Sequence, residues 1–197
     1  KKMLWYKDST VIEALDSFEN LNLDYKLPLR FPIQDIYKFD DKRIIVGRIE
    51  SGKLKKNDKL LSSPNNVSVT VQSIEKWKKK PSSLLAGECA GITLTDHTFL
   101  EKGNVWSHIE EAPFLVNTFE ANIFWFSKKR LRINKKYFLK INAAIHEIFV
   151  KKIINVTNTE DLSIKKSNTV GQNDVAEIVI HSPSLISIDN FDENPRT

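Results

Sequence analysis

"GRIESGKL", Gly47 to Leu54, is the stretch on which the fold turns. It sets a glycine, four residues and a Gly52-Lys53 pair in the order of a phosphate-binding loop, but Leu54 stands where that loop needs a hydroxyl for magnesium. Glu50 places a fixed negative charge where phosphate oxygens would lie. A phosphate loop also opens into a helix whose amino terminus adds positive potential. Here "KKNDKLLSSPNN" holds a turn pair and then Pro64. The stretch therefore reads as β structure: "RIIVGRIE" alternates across a sheet, Ser51-Gly52 makes a tight hairpin turn, and "KLKKNDKLL" returns through an Asn57-Asp58 turn. Gly47 is then a strand glycine, at a bulge or a close backbone approach.

The same texture extends along most of the chain. "IQDIYKF", "VSVTVQSIEKW", "AGITLTD", "ANIFWF", "YFLKI", "AIHEIFVKKIINV" and "VAEIVIHS" are short, rich in β-branched and aromatic residues and often alternating. Turn residues such as "DD", "KND", "PNN" and "EKGN" separate them. One helix stands before them. In "KDSTVIEALDSFENL", Thr10 and Glu13 form a capping box and Val11, Ile12, Leu15 and Phe18 recur at helical spacing, ending near Asn20. "EEAPFLVNTF" (Glu110 to Phe119) breaks the strand pattern and marks a domain boundary. The fold class is all-β: two consecutive small antiparallel β-barrels preceded by one short helix.

The 197 residues carry a net charge of +5 and 41% hydrophobic composition, ordinary for a folded chain. No apolar run reaches the roughly 18 residues of a membrane span, and "KKMLWYKDS" lacks the apolar core of a signal peptide, so a cytoplasmic location is expected. Cys89, the single cysteine, cannot form an internal disulfide; between small and apolar neighbours it reads as a buried strand residue. His97, His108, His146 and His181 are scattered without metal-ligand spacing. The carboxylate pairs Asp40-Asp41 and Glu110-Glu111 lie in expected loops and read as solvated charge, not as acid/base pairs. Of Trp125 and Phe126, alternation buries one.

Read together, "RFPIQDIY", "GRIESG", "KKNDKL", "AGE" with Gly91 four residues after Gly87, and "KGNVW" resemble the β-barrel that follows the G domain in translational GTPases such as elongation factor Tu. Asn57 and Asn104 replace glycines common in those turns, and asparagine tolerates the left-handed backbone. "MLWYKDSTVIEALDSF" is similar to the end of a G domain. Residues 113–197, through "FEANIFWF", "YFLKI", "NDVAEIVI" and "DNFDENPRT", look like the GTP-dependent large subunit of bacterial sulfate adenylyltransferase.

The resemblance implies a domain plan of elongation factor Tu domain II/III type. Residues 1–23 would be the last helix of a G domain plus linker, 24–112 a domain II barrel, and 113–197 a domain III barrel lacking its final hairpin. For the intact protein it implies a nucleotidyltransferase of sulfate assimilation, ATP sulfurylase, making adenylyl sulfate and pyrophosphate from ATP and sulfate. GTP and Mg2+ would sit in the G domain, and a separate small catalytic subunit would be the partner in a heterodimer. This segment would hold no cofactor, no metal and no catalytic residue, and would scaffold the G domain in cis and the small subunit. Arg48, Glu50, Lys76, Lys78, Lys79 and Lys80 are the candidate partner contacts, chosen for charge and expected exposure. The lysine clusters lack the aromatic interleaving of single-strand nucleic-acid binders, so nucleic acid is not an expected partner and neither is a membrane. The rival readings are the tail of an elongation factor that binds tRNA or the ribosome, and a stand-alone interaction module.

Overall fold

Thr10 starts helix α1 (Val11–Asp16) in the computed structural model, which describes residues 5–6, 8–18, 25–39, 42–77, 81–96 and 98–194. The capping box forms as expected: the Glu13 amide donates to Thr10 Oγ1 (3.3 Å), and the Thr10 amide donates to Glu13 Oε2 (2.7 Å). The helix stops at Asp16, short of the expected end, and Asn20 lies outside the described residues. None of its residues is buried, so Val11, Ile12 and Leu15, with Phe18 just beyond it, present an uncovered apolar face.

Eight strands follow: β1 (Phe31–Phe39), β2 (Lys42–Arg48), β3 (Lys53–Lys55), β4 (Lys59–Ser63), β5 (Val67–Glu75), β6 (Ser83–Leu85), β7 (Cys89–Leu94) and β8 (Val105–His108). Six of them close an antiparallel barrel in the order β1-β2-β7-β5-β4-β8, while β3 and β6 form a separate ribbon. Closure turns on β1. Its first residues pair with β8, Phe31 opposite Trp106, and its later residues pair with β2. Between them the register slips from Ile33↔Gly47 to Asp35↔Val46, a bulge that bends the strand round the barrel. A Cβ on Gly47 would lie 2.4 Å from the Pro32 carbonyl oxygen, so only glycine fits opposite the bend. The interior holds Phe31, Ile33, Ile45, Leu60, Val71, Ile74, Ile92 and Trp106, with the Phe31 and Trp106 rings stacked at 5.3 Å.

The stretch Gly47 to Leu54 differs from its expected hairpin. β2 has both edges taken by β1 and β7, so it cannot pair with β3. Instead Ser51 bridges to Arg30, Gly52 turns at φ 75°, and β3 pairs with β6. The Gly52 turn leads from one sheet to another. Asn57 is left-handed as expected (φ 70°), whereas Gly103, not Asn104, takes that conformation in its turn. Asn104 is instead buried, with Nδ2 donating to Ser62 Oγ and Asn65 Oδ1.

After a single 3-10 turn (Ile109–Glu111) come β9 (Phe114–Phe124), β10 (Leu131–Arg132), β11 (Lys136–Ile141), β12 (Ala144–Thr157), β13 (Ile164–Lys165), β14 (Thr169–Val170) and β15 (Val175–Ile188). A sheet runs β11-β12-β15-β9 with β13 beside β12, and the β10-β14 ribbon sends Leu131 and Val170 into the same core as Ile178 and Ile180. Among the described residues, β9 and β11 do not pair, so this second unit curves without closing. Two register shifts in β12, at Val150/Lys152 and Ile153/Asn155, space its buried residues Val150, Ile153 and Val156 three apart. Bulges absorb the extra residues, so the threes remain strand.

The two units meet at a buried ion pair. Arg30 Nε and Nη2 donate to the two carboxylate oxygens of Asp189 at 2.7 and 2.6 Å, with side-chain exposures of 4% and 9%. Arg30 Nη1 donates to the carbonyls of Leu29 and Glu111, both at 2.8 Å. Beside it Asn194 Nδ2 donates to Ser51 Oγ (3.0 Å), which donates to the Pro28 carbonyl (2.6 Å). Removing one partner of such a pair leaves a buried charge without compensation, so we predict that Arg30→Met destabilises the protein by about 3–5 kcal/mol in urea unfolding. Arg30→Met/Asp189→Leu should recover most of that loss, and a double variant as unstable as the single would refute this account of the junction.

Candidate functional site

Arg48 ends β2 and Glu50 follows it just before the Gly52 turn, which brings both to the mouth of a cleft between the units. The cleft has a volume of about 420 Å³. Pro32, Gln34 and Lys102 complete the first unit's wall, and Lys140, Asn142 and Ile145 of the β11-β12 hairpin form the other. The hairpin sits tightly: a Cβ on Gly103 (φ 92°) would come within 2.6 Å of Ala144 Cβ. Three cations face one carboxylate here, an arrangement that can take an anion or an acidic surface.

The other candidate contacts lie elsewhere. Lys76 forms an ion pair with Glu88, whose side chain also accepts from the Leu85 amide (2.7 Å). That hydrogen-bonded lysine, then the Leu85 amide, hold the Glu88 carboxyl below the usual range. Lys78, Lys79 and Lys80 fall outside the described residues, as do Asp40 and Asp41. Glu110 and Glu111 are exposed in the 3-10 turn. Cys89 is exposed, not buried, because it opens β7 opposite Arg48 on the outward face, while Ala90, Ile92 and Leu94 alternate onto the core. Trp125 packs against the second core while Phe126 is exposed, one of the two as expected. Among the described residues no group of three His, Cys, Asp or Glu side chains could hold a metal ion, and no helix is long and apolar enough to cross a membrane.

Residues 118–197 match the family model described as GTP-eEF1A C-terminal domain-like. The second unit is thus similar to that domain. Curated relatives carry more than one name. Elongation factor 1-alpha of Ignicoccus hospitalis is 35% identical over 129 residues, 63% of this chain and 29% of that protein. Sulfate adenylyltransferase subunit 1 of Shewanella woodyi is 23% identical over 196 residues, 99% of this chain and 42% of that protein. Bifunctional enzyme NodQ of Rhizobium sp. strain N33 is 26% identical over 198 residues, covering 100% of this chain and 31% of that protein. The crystal structure of sup35 complexed with GDP superposes with TM-score 0.81 at 20% identity, covering 98% of this chain and 48% of that one. The chain thus spans 29% to 42% of these curated relatives' lengths, and the superposition matches the expected all-β fold.

The GTP-eEF1A C-terminal domain-like unit supplies one wall of the cleft through Lys140 and Asn142, neither of which sequence reasoning singled out. Nor did it single out Lys102. These residues are separated in sequence by 38 positions or more from one wall to the other, and no local pattern joins them. Arg48 and Glu50 were findable because a strand end next to a glycine turn exposes charge. For the Lys76–Glu88 pair the sign of the pH effect follows from the lowered carboxyl. Its contribution is present above the ordinary carboxylate range and fades as pH falls through the lowered value. Thermal melts of the parent and Glu88→Gln should therefore differ at pH 7 and converge in acid, and Lys76→Met should remove most of the difference; a gap that widens in acid would refute the assignment.

Proposed function

We propose that this chain is the two-unit, non-catalytic part of the GTP-dependent large subunit of a sulfate adenylyltransferase. The observation that carries this reading is coverage: sulfate adenylyltransferase subunit 1 aligns along 99% of the chain, whereas elongation factor 1-alpha of Ignicoccus hospitalis aligns along 63%. In the parent protein an upstream G domain would bind GTP and Mg2+ and would pack on the uncovered apolar face of α1. A small catalytic subunit would carry the adenylyl transfer from ATP to sulfate. The two units act as a scaffold, held in one relative orientation by the Arg30–Asp189 pair, and Arg48, Glu50, Lys76, Lys78, Lys79 and Lys80 are the positions assigned to partner contact.

A second reading has its own support. The 35% identity to elongation factor 1-alpha exceeds any identity quoted above for the sulfate enzymes, and it favours an elongation-type GTPase that binds tRNA. One experiment separates them. The full-length protein containing this chain, combined with the small subunit encoded beside it, should release pyrophosphate from ATP and sulfate faster when GTP is present. Binding of aminoacyl-tRNA that is GTP-dependent and weakens steeply with salt, with no sulfate-dependent pyrophosphate release, would overturn the proposal in favour of the second reading.

A further inference from the structure

Four charged side chains line the cleft between the units, and none of them is neutralised within the chain. Arg48 and Lys102 come from the first unit, Lys140 from the second, and Glu50 stands beside the Gly52 turn. Among the described residues none of the four forms an ion pair, so three cations and one carboxylate face the same space with their head groups open. Carboxylates close by in sequence do not offset them. Glu88, next to the strand partner of Arg48, is paired with Lys76, and Glu101 does not line the cleft. The side-chain amides of Gln34 and Asn142 line it too, and neither has a hydrogen-bond partner among the described residues.

Backbone contacts set both walls. The Gly103 amide donates to the Ile33 carbonyl and the Ile33 amide to the Asn104 carbonyl, both at 2.8 Å, which pins the turn carrying Lys102 against β1. The Glu50 amide donates to the Arg30 carbonyl (2.9 Å), so Glu50 is fixed beside the Arg30–Asp189 junction. On the opposite wall Lys140 lies in register with Ile145, whose side chain is 63% exposed. An incoming anion therefore meets cations carried on backbone that is already in place, and little ordering opposes its binding.

We infer that the cleft takes an acidic peptide segment of a separate protein, with carboxylates of that segment lying among Arg48, Lys102 and Lys140. Charge complementarity requires an anion, and the rest of the lining selects which kind. A phosphate or sulfate ion would use the cations alone and would meet Glu50 as a like charge. A nucleic acid would find no aromatic side chain in the lining on which to stack a base. A peptide uses what those ligands leave. The Gln34 and Asn142 side chains each offer a donor and an acceptor to a peptide bond, and Glu50 accepts from a peptide N–H. Ile145 and Pro32 offer apolar surface to an aliphatic neighbour of the carboxylates. The net charge of +5 disfavours a second copy of this chain as the occupant. Because the walls belong to different units, the bound segment bridges them, and the inference holds for either parent GTPase.

The probe is a short labelled peptide in which glutamate alternates with leucine, added to the full-length protein that contains this chain and followed by fluorescence anisotropy. The same peptide with glutamine for glutamate is the control, and inorganic phosphate and a single-stranded RNA oligonucleotide are the competitors. The acidic peptide should bind about tenfold or more tightly than the control. Lys102→Gln and Lys140→Gln should each weaken it about tenfold, whereas Lys152→Gln, on β12 and outside the cleft, should leave it unchanged. Ile145→Ser should weaken the peptide without changing the effect of phosphate. The four side chains are exposed, so the melting temperatures of these variants should stay with the parent's. Several results would overturn the inference: equal binding of the two peptides, a loss with Lys152→Gln as large as with Lys140→Gln, or displacement of the labelled peptide by RNA or phosphate at lower concentration than by unlabelled peptide. Self-association of the protein that Lys140→Gln abolishes would overturn it in favour of a second copy.

Discussion

The buried Arg30–Asp189 pair is the constraint from which the arrangement of the molecule follows. Arg30 directly precedes the first barrel strand and Asp189 directly follows the last strand of the second unit, so one bidentate contact joins opposite ends of the described β structure. The guanidinium fork suits the role, since its planar donors grip a carboxylate in one geometry and reach two carbonyls besides. Desolvating both charges offsets much of their attraction, and the pair is therefore better understood as setting orientation than as adding stability. That orientation creates the cleft between Arg48 and Lys102 on one side and Lys140 on the other.

Away from this junction lie three surfaces of different character. The apolar face of α1, the basic cleft and the exposed aromatic residues Phe124 and Phe126 of the second unit occupy three separate regions. Exposed apolar side chains on α1 and on the second unit, which is similar to the GTP-eEF1A C-terminal domain-like family, are surface that packing against another element would cover.

Several features were legible in the residues because their causes are local. Thr10 and Glu13 predict a helix start because each supplies the hydrogen bond the other's backbone lacks. Gly47 within an alternating run predicts a close approach, and the Pro32 carbonyl provides it. Asn57 predicts a left-handed turn. The misreadings have non-local causes. Ser51-Gly52 looks like a hairpin, yet β2 is already paired on both edges by strands a long way off in sequence, so the turn must lead elsewhere. Cys89 has small and apolar neighbours, yet the register of β7 turns Ala90, Ile92 and Leu94 to the core and leaves Cys89 on the outward face. In β12, buried residues three apart break the alternation rule because two bulges insert residues that only the partner strand reveals.

By itself the sequence determined the class of structure: β-branched and aromatic alternation, turn residues and one capped helix permit an all-β antiparallel chain, and the failed phosphate loop at Glu50 and Leu54 removes nucleotide binding from that stretch. The tertiary structure alone decided which strands pair, that the first barrel closes while the second sheet stays open among the described residues, and which charges meet. The physical reason is range. Backbone preference and periodicity act over a few residues and are written in neighbouring letters, whereas a buried ion pair between positions 30 and 189, or a cleft with Lys102 on one wall and Lys140 on the other, exists only once distant segments have been brought to one place.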